Sequence, residues 1–80
     1  MKLPRDVSGE ELAKRLTRLG YNATRQTGSH VRLTRPRQPE HHITIPLHDS
    51  IKVGTLNGIL KDIALRAGMT RDEVIRILWA

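Results

Sequence analysis

The spacing of apolar residues changes twice along this chain, and that change limits what it can fold into. Leu12, Leu16 and Leu19 recur at helical spacing. Over the next stretch the spacing falls to two. Tyr21, Ala23 and Arg25 alternate with Asn22, Thr24 and Gln26, and Val31 and Leu33 with His30, Arg32 and Thr34. Ile43, Ile45 and Leu47 likewise alternate with His42, Thr44 and Pro46. Helical spacing then returns, with Leu56, Ile59, Leu60, Ile63, Ala64 and Ala67 forming a broad stripe and Val74, Ile75, Leu78 and Trp79 a last one. Side chains repeat every 3.6 residues on a helix and every two on a strand, so the expected order is α-β-β-β-α-α.

The boundaries carry their own signals. Val7-Ser8-Gly9-Glu10-Glu11-Leu12 combines a capping box, Ser8 with Glu11, and a hydrophobic staple, Val7 with Leu12. Gly20 is the stop, so the first helix is expected over about Gly9–Leu19. Thr27-Gly28-Ser29 reads as a turn between two strands. The segment Arg35-Pro36-Arg37-Gln38-Pro39-Glu40 is excluded as a central strand, because its prolines lack a ladder donor. Gly68 ends the second helix, and Met69-Thr70-Arg71-Asp72-Glu73-Val74 repeats the staple and capping box. Gly58, inside the second helix, is expected to allow close packing on the sheet.

These elements predict an α+β fold: one domain over residues 1–80, a three-stranded antiparallel sheet with helices on its apolar face. The layout resembles the double-stranded-RNA-binding domain with a short extra helix. The chain has no cysteine, so neither disulfides nor thiolate metal sites support it, which suits a reducing cytosol. The start, Met1-Lys2-Leu3-Pro4, leads into a polar stretch and not an apolar signal core, and no apolar run is long enough for a membrane span.

Charge directs attention to a polyanion. The 80 residues carry 14 Lys/Arg against eight Asp/Glu, a net +6. Between Arg25 and Arg37 there are four arginines and no acid, and the guanidinium fork suits phosphate oxygens. A solvated basic face that only keeps the chain soluble is the plainer reading of the same charges. Tyr21 and Trp79 are the only aromatics, too few for the stacking platforms of a single-strand reader, so binding is expected to rest on backbone phosphates.

One local pattern carries chemistry. Gly28-Ser29-His30 places a permissive glycine, a hydroxyl and an imidazole at the head of a strand, with His30 on the polar face beside Arg32. RNA is cleaved by its own 2′-hydroxyl when a base takes that proton, an acid protonates the leaving oxygen and cations balance the phosphorane. Imidazole serves the first two needs and arginine the third. The candidate catalytic residues are therefore His30 and, as a second acid–base group, His48. The candidate RNA-binding residues are Arg25, Gly28, Ser29, Arg32, Arg35 and Arg37. No metal or other cofactor is expected, since adjacent His41 and His42 point to opposite faces of a strand and rarely share one ion. Gly54-Thr55-Leu56 offers helix amides to a phosphate or is simply a helix start.

The chain resembles the HicA toxins, or YcfA-like family, small mRNA interferases of type II toxin–antitoxin systems. The resemblance covers almost the whole chain and rests on Leu19-Gly20-Tyr21, Gly28-Ser29-His30, Pro46-Leu47-His48, Gly54-Thr55-Leu56, Ile59-Leu60 and Ala67-Gly68-Met69 in that order. It implies a fold similar to a double-stranded-RNA-binding domain, His30 as the catalytic histidine, and mRNA as the target. It also implies a HicB-type antitoxin over the active surface, with a monomer when free and a hetero-oligomer when neutralised. One position departs: after Gly54-Thr55-Leu56 many relatives carry a basic residue, where this chain has Asn57. The rival readings are an RNA-binding module without cleavage and a DNA-binding or interaction partner in the same operon. Against DNA, the last helix begins with Asp72 and Glu73, where a recognition helix would meet the bases.

Overall fold

A computed structural model of the chain describes residues 2–37 and 39–80; Met1, and Gln38 in the proline-rich connection, lie outside the described residues. Helix α1 (Gly9–Arg15) continues into a 3-10 turn, Leu16–Leu19, and stops at Gly20, whose φ of 87° is left-handed. Strands β1 (Asn22–Thr27), β2 (His30–Arg35) and β3 (His41–Pro46) follow, then α2 (Val53–Ala67) and α3 (Arg71–Leu78). The order is α-β-β-β-α-α, and the strands form an antiparallel sheet in the sequence β1-β2-β3.

Both helix-start signatures form, one of them in half. Ser8 Oγ accepts from Glu11 N–H at 3.0 Å, but the Glu11 carboxylate takes Arg15 Nε at 2.8 Å instead of reaching back to the cap. Thr70 and Glu73 make the complete reciprocal box. The Glu73 carboxyl is held below its usual range, first by the hydrogen bond from the Thr70 backbone.

The core lies between the sheet and the helices. Leu12 and Leu16, Val31 and Leu33, Ile43 and Ile45, and Leu56, Leu60 and Ile63 are all buried there. Helix α3 adds Val74, Ile75 and Leu78. Arg15 and Arg18 reach its last turn and donate to the carbonyls of Ile77, Leu78 and Ala80, while Arg15 also covers the Trp79 ring at 5.3 Å. Cations at a helix C-terminus satisfy carbonyls that have no partner within the helix. These two arginines are thereby committed to the fold.

The close-packed glycine is Gly9 and not Gly58. A β-carbon on Gly9 would stand 2.0 Å from the Pro46 carbonyl oxygen, whereas one on Gly58 would meet nothing within 4 Å. Helix α1 begins against the end of β3, with Gly9 N–H donating to the His48 carbonyl at 3.0 Å. Gly58 faces outward on α2, so the expected packing of that residue on the sheet does not form.

One irregularity shapes the polar face. Ala23 pairs with Leu33, but Arg25 pairs with Arg32, so Thr24 is an extra residue in β1. A bulge of this kind turns every later side chain to the other face. Unbroken alternation groups Arg25 with Tyr21 and Ala23; the bulge carries it instead to the side of Arg32 and His30.

Candidate RNA-binding and catalytic face

The β1–β2 connection brings the candidate residues together. Gly28 has a φ of 55° and Ser29 does not share that sign, the pattern of a two-residue type II′ turn. That tight turn sets Thr27 directly across from His30 and Arg25 directly across from Arg32. Arg25, Thr27, His30, Arg32 and Thr44 line one open depression of about 230 Å³. All five side chains are exposed. Ser29 Oγ stands 3.5 Å from His30 Nδ1, at the limit of a hydrogen bond, and the Ser29 carbonyl accepts from Leu47 N–H at 2.6 Å. The turn is thereby tied to the end of β3.

Placing two arginines directly opposite each other is electrostatically unfavourable, because like charges across strands repel. Neither guanidinium has an acidic partner among the described residues. Such a pair is relieved by an anion between the two side chains, and the imidazole of His30 lies on the rim of the same depression.

Further along this face the polar groups satisfy one another. Thr24 Oγ1 meets Thr34 Oγ1 at 2.9 Å, Thr34 Oγ1 meets His42 Nδ1 at 2.8 Å, and His42 Nε2 meets Glu40 at 2.6 Å. His42 is thus engaged in a ladder crossing all three strands, unlike His30.

Two of the expected site residues stand apart. His48 follows β3 and borders a different depression with Ser8, Glu10, Gln26 and Asp49. Gln26 is the β1 neighbour that points away from Arg25, so His48 is not brought into the His30 cluster and has acids around it. Arg35 lies on the helix-covered face, two residues along β2 from Leu33. It is half-buried, its side chain runs past Gly20, and its guanidinium covers the Tyr21 ring at 5.7 Å. Arg37 is exposed in the connection after β2.

The buried polar cluster behind the sheet gave no clear sign in the sequence. His41 is 5% exposed, and its Nδ1 meets the Tyr21 hydroxyl while its Nε2 meets Asp62 at 3.1 Å. An imidazole carrying its hydrogen on Nε2 fits both, with Tyr21 donating to Nδ1 and Asp62 accepting from Nε2. Burial pushes the Tyr21 phenol above its ordinary value of 10.0; Asp62 adds to this, and Arg35 and Arg66 oppose it. His41 and His42 do face opposite ways, one to Asp62 and the other to Glu40. No group of three potential metal ligands gathers among the described residues. A larger depression, about 430 Å³, lies against Lys2, Leu3, Arg5, Asp6 and Val53 and holds no histidine.

A model of the HicA toxins of bacterial toxin–antitoxin systems matches residues 9–65. The chain belongs to the HicA toxin family. The match runs from the start of α1 to the last turn of α2, so it spans the sheet, the His30 turn and the Arg25–Arg32 pair. No curated protein and no solved structure was found to match the chain. His30 stands at the head of the second strand on the polar face. Asn57 accepts from Arg71 at 2.9 Å and so joins α2 to α3. No helix among the described residues is long and apolar enough to cross a membrane.

Proposed function

We propose that this HicA toxin cleaves mRNA in the cytoplasm without a metal ion, with His30 as the acid–base group. The observation that carries the reading is the cross-strand Arg25–Arg32 pair beside an exposed histidine. A phosphodiester seated between the two guanidiniums presents its 2′-hydroxyl and its 5′-oxygen to that rim. His30 takes the 2′-hydroxyl proton as the 2′-oxygen attacks phosphorus, and the arginines balance the growing charge on the phosphorane. The bond to the 5′-oxygen then breaks, and the imidazolium returns the proton to it. The products are a 2′,3′-cyclic phosphate and a 5′-hydroxyl. His48 lies outside this arrangement, so one imidazole serves both steps. Gly28 lets the turn stay low and Ser29 adds a hydroxyl beside His30, while Arg37 extends the basic surface beyond the strand.

The decisive experiment is cleavage of a defined mRNA by the wild type and by His30→Ala. Loss of at least about a hundredfold is expected, the typical share of one acid–base group. Cleavage is expected to persist in EDTA and to leave cyclic phosphate ends. Full activity in a folded His30→Ala protein would sink the mechanism, and a requirement for divalent metal would sink its metal-free part.

The partner in this reading is a small acidic antitoxin of the HicB type, encoded beside the toxin. The toxin's charge of +6 draws such a protein and speeds encounter. Free toxin is read as a monomer, and the neutralised form as a hetero-oligomer.

A further inference from the structure

The two edges of the sheet differ. The β1 edge is interrupted by the bulge at Thr24, which breaks the regular row of backbone groups. The β3 edge has no such interruption: its pairing with β2 runs in one register from Arg35–His41 to His30–Pro46. The bond from Leu47 N–H to the Ser29 carbonyl fixes the phase of that ladder. In an antiparallel pair the backbone groups alternate in direction, so His41, Ile43 and Ile45 bond toward β2. His42 and Thr44 turn their N–H and C=O groups outward. Pro46, with no N–H, ends the usable row.

A depression of about 390 Å³ runs beside this edge, between β3 and α2. Its helix wall carries Gly54 and Gly58, one turn apart, and a β-carbon on either would meet nothing within 4 Å. Helix α2 therefore leaves clearance for a backbone to lie along β3. Ile43 and Ile59 give the floor apolar area, and Asp62 closes one end with negative charge. Thr44 borders both this groove and the depression holding His30 and the arginines.

We infer that the open edge of β3 receives an extended strand from the neutralising partner protein, acidic toward Thr44 and apolar toward the glycine strip of α2. The inference rests on the antitoxin reading above and adds where and how that partner docks. Backbone pairing to His42 and Thr44 supplies affinity that is indifferent to sequence, and alternate side chains supply selectivity. On the polar face a side chain beside Thr44 lies next to Arg32, the cross-strand neighbour of Thr44. A carboxylate there occupies the place of an RNA phosphate. Beside His42 the position is already served by Glu40, so the acidic residue is directed to the Thr44 end. On the helix side Asp62 repels acids, and Ile43, Ile59 and the two glycines favour an apolar side chain. The occupant is an alternating acidic–apolar strand whose docking also covers the cationic pair.

The test uses the purified full-length toxin and the product of the adjacent reading frame. Amide exchange at His42 and Thr44 is expected to slow in the complex. Two variants challenge the edge. Gly58→Arg fills the glycine strip at an exposed helical position where arginine is the better helix former, so the fold is retained. Thr44→Pro removes an outward amide without touching the β2–β3 ladder. Each is expected to weaken the complex by about tenfold or more by calorimetry, from lost pairing and blocked approach. Gly58→Arg is also expected to keep its RNA cleavage while resisting neutralisation. Unchanged affinity in both variants, with no protection at His42 and Thr44, would overturn the docking and leave the antitoxin pairing intact. Failure of the wild type to bind the neighbour at all would overturn both. Self-association of the free toxin that both variants abolish would assign the edge to a second copy and overturn the proposal.

Discussion

His30 and His41 occupy opposite faces of the same sheet. One has its ring in solvent, beside two arginines that repel each other; the other is enclosed between Tyr21 and Asp62. Every polar neighbour of His41 improves the fold by giving it a partner, since an unpaired buried polar group is costly. The neighbours of His30 do the reverse, concentrating like charge around an imidazole with no firm partner. The difference separates a histidine that the fold needs from one that the fold merely displays. Local alternation places the two on different faces, His30 out of phase with Val31 and Leu33 and His41 in phase with Ile43 and Ile45, but it does not name the partners that enclose His41.

Removing each ring in turn separates the two histidines by the largest effect. His30→Ala is expected to cost at least about a hundredfold in cleavage while leaving the thermal midpoint nearly unchanged. His41→Ala is expected to reverse the pattern. It strips Tyr21 and Asp62 of their shared partner and should destabilise by about 1–3 kcal/mol, with cleavage per folded molecule retained. Chemical denaturation and a cleavage assay on the same samples decide it. A His41→Ala protein of full stability and no activity would mean that the buried cluster takes part in the reaction.

What the sequence made legible follows from periodicity. Alternation in β2 put His30 and Arg32 on one face, and helical stripes put Leu56, Leu60 and Ile63 in the core, because those patterns are local. The Thr24 bulge is not local in that sense. It is a choice of register between two strands, and it alone decides that Arg25 joins Arg32. The same limit explains His48, since a loop carries no period to place a side chain. Arg35 differs: alternation with Val31 and Leu33 already turns it to the apolar face, and only its contact with the Tyr21 ring depends on tertiary packing. Tyr21, His41 and Asp62 are distant in sequence and become neighbours only when α2 packs beside the sheet. For glycine, helical position misled: Gly58 stands in a packed helix but faces out, while Gly9, at a helix start, touches β3. The expected outcome of exchanging the two is opposite in sign. Gly58→Ala should stabilise by about 1 kcal/mol through helix propensity, and Gly9→Ala should destabilise by about 1–3 kcal/mol through overpacking. Thermal denaturation of both variants checks this.

A smaller effect probes the buried side through pH. Burial raises the Tyr21 phenol above 10.0 in the folded protein. Well below pH 10 the phenol is neutral in both states and the contribution of Tyr21 is complete. As pH rises above that, the unfolded chain ionises first, so it binds fewer protons than the native state and stability falls. Tyr21 is the only tyrosine, so tyrosinate absorbance reports it alone. Native protein should ionise at higher pH than denatured protein, and Tyr21→Phe should lose stability less steeply between roughly pH 9 and 11, the window set by an ordinary tyrosine. Coincident titration in the two states would show that the phenol reaches water and that the buried cluster is looser than its geometry.

The smallest expected effect separates the two faces by salt. Each phosphate neutralised on a single strand contributes about 0.7 to the log–log slope of affinity against salt. Arg32 stands on the polar face across from Arg25, whereas Arg35 lies over Tyr21 on the far side. Arg32→Gln should therefore flatten the slope by about 0.7, and Arg35→Gln should leave it unchanged while lowering stability through the lost contact with the Tyr21 ring. Filter binding of an uncleavable RNA across a salt series measures both. The four arginines between Arg25 and Arg37 would together give a slope near about −3 if all met phosphate. With Arg35 turned away, three remain and the expected slope is nearer about −2. Equal flattening in the two variants would place RNA against both faces at the Arg35 end, and the sheet would no longer divide a working surface from a structural one.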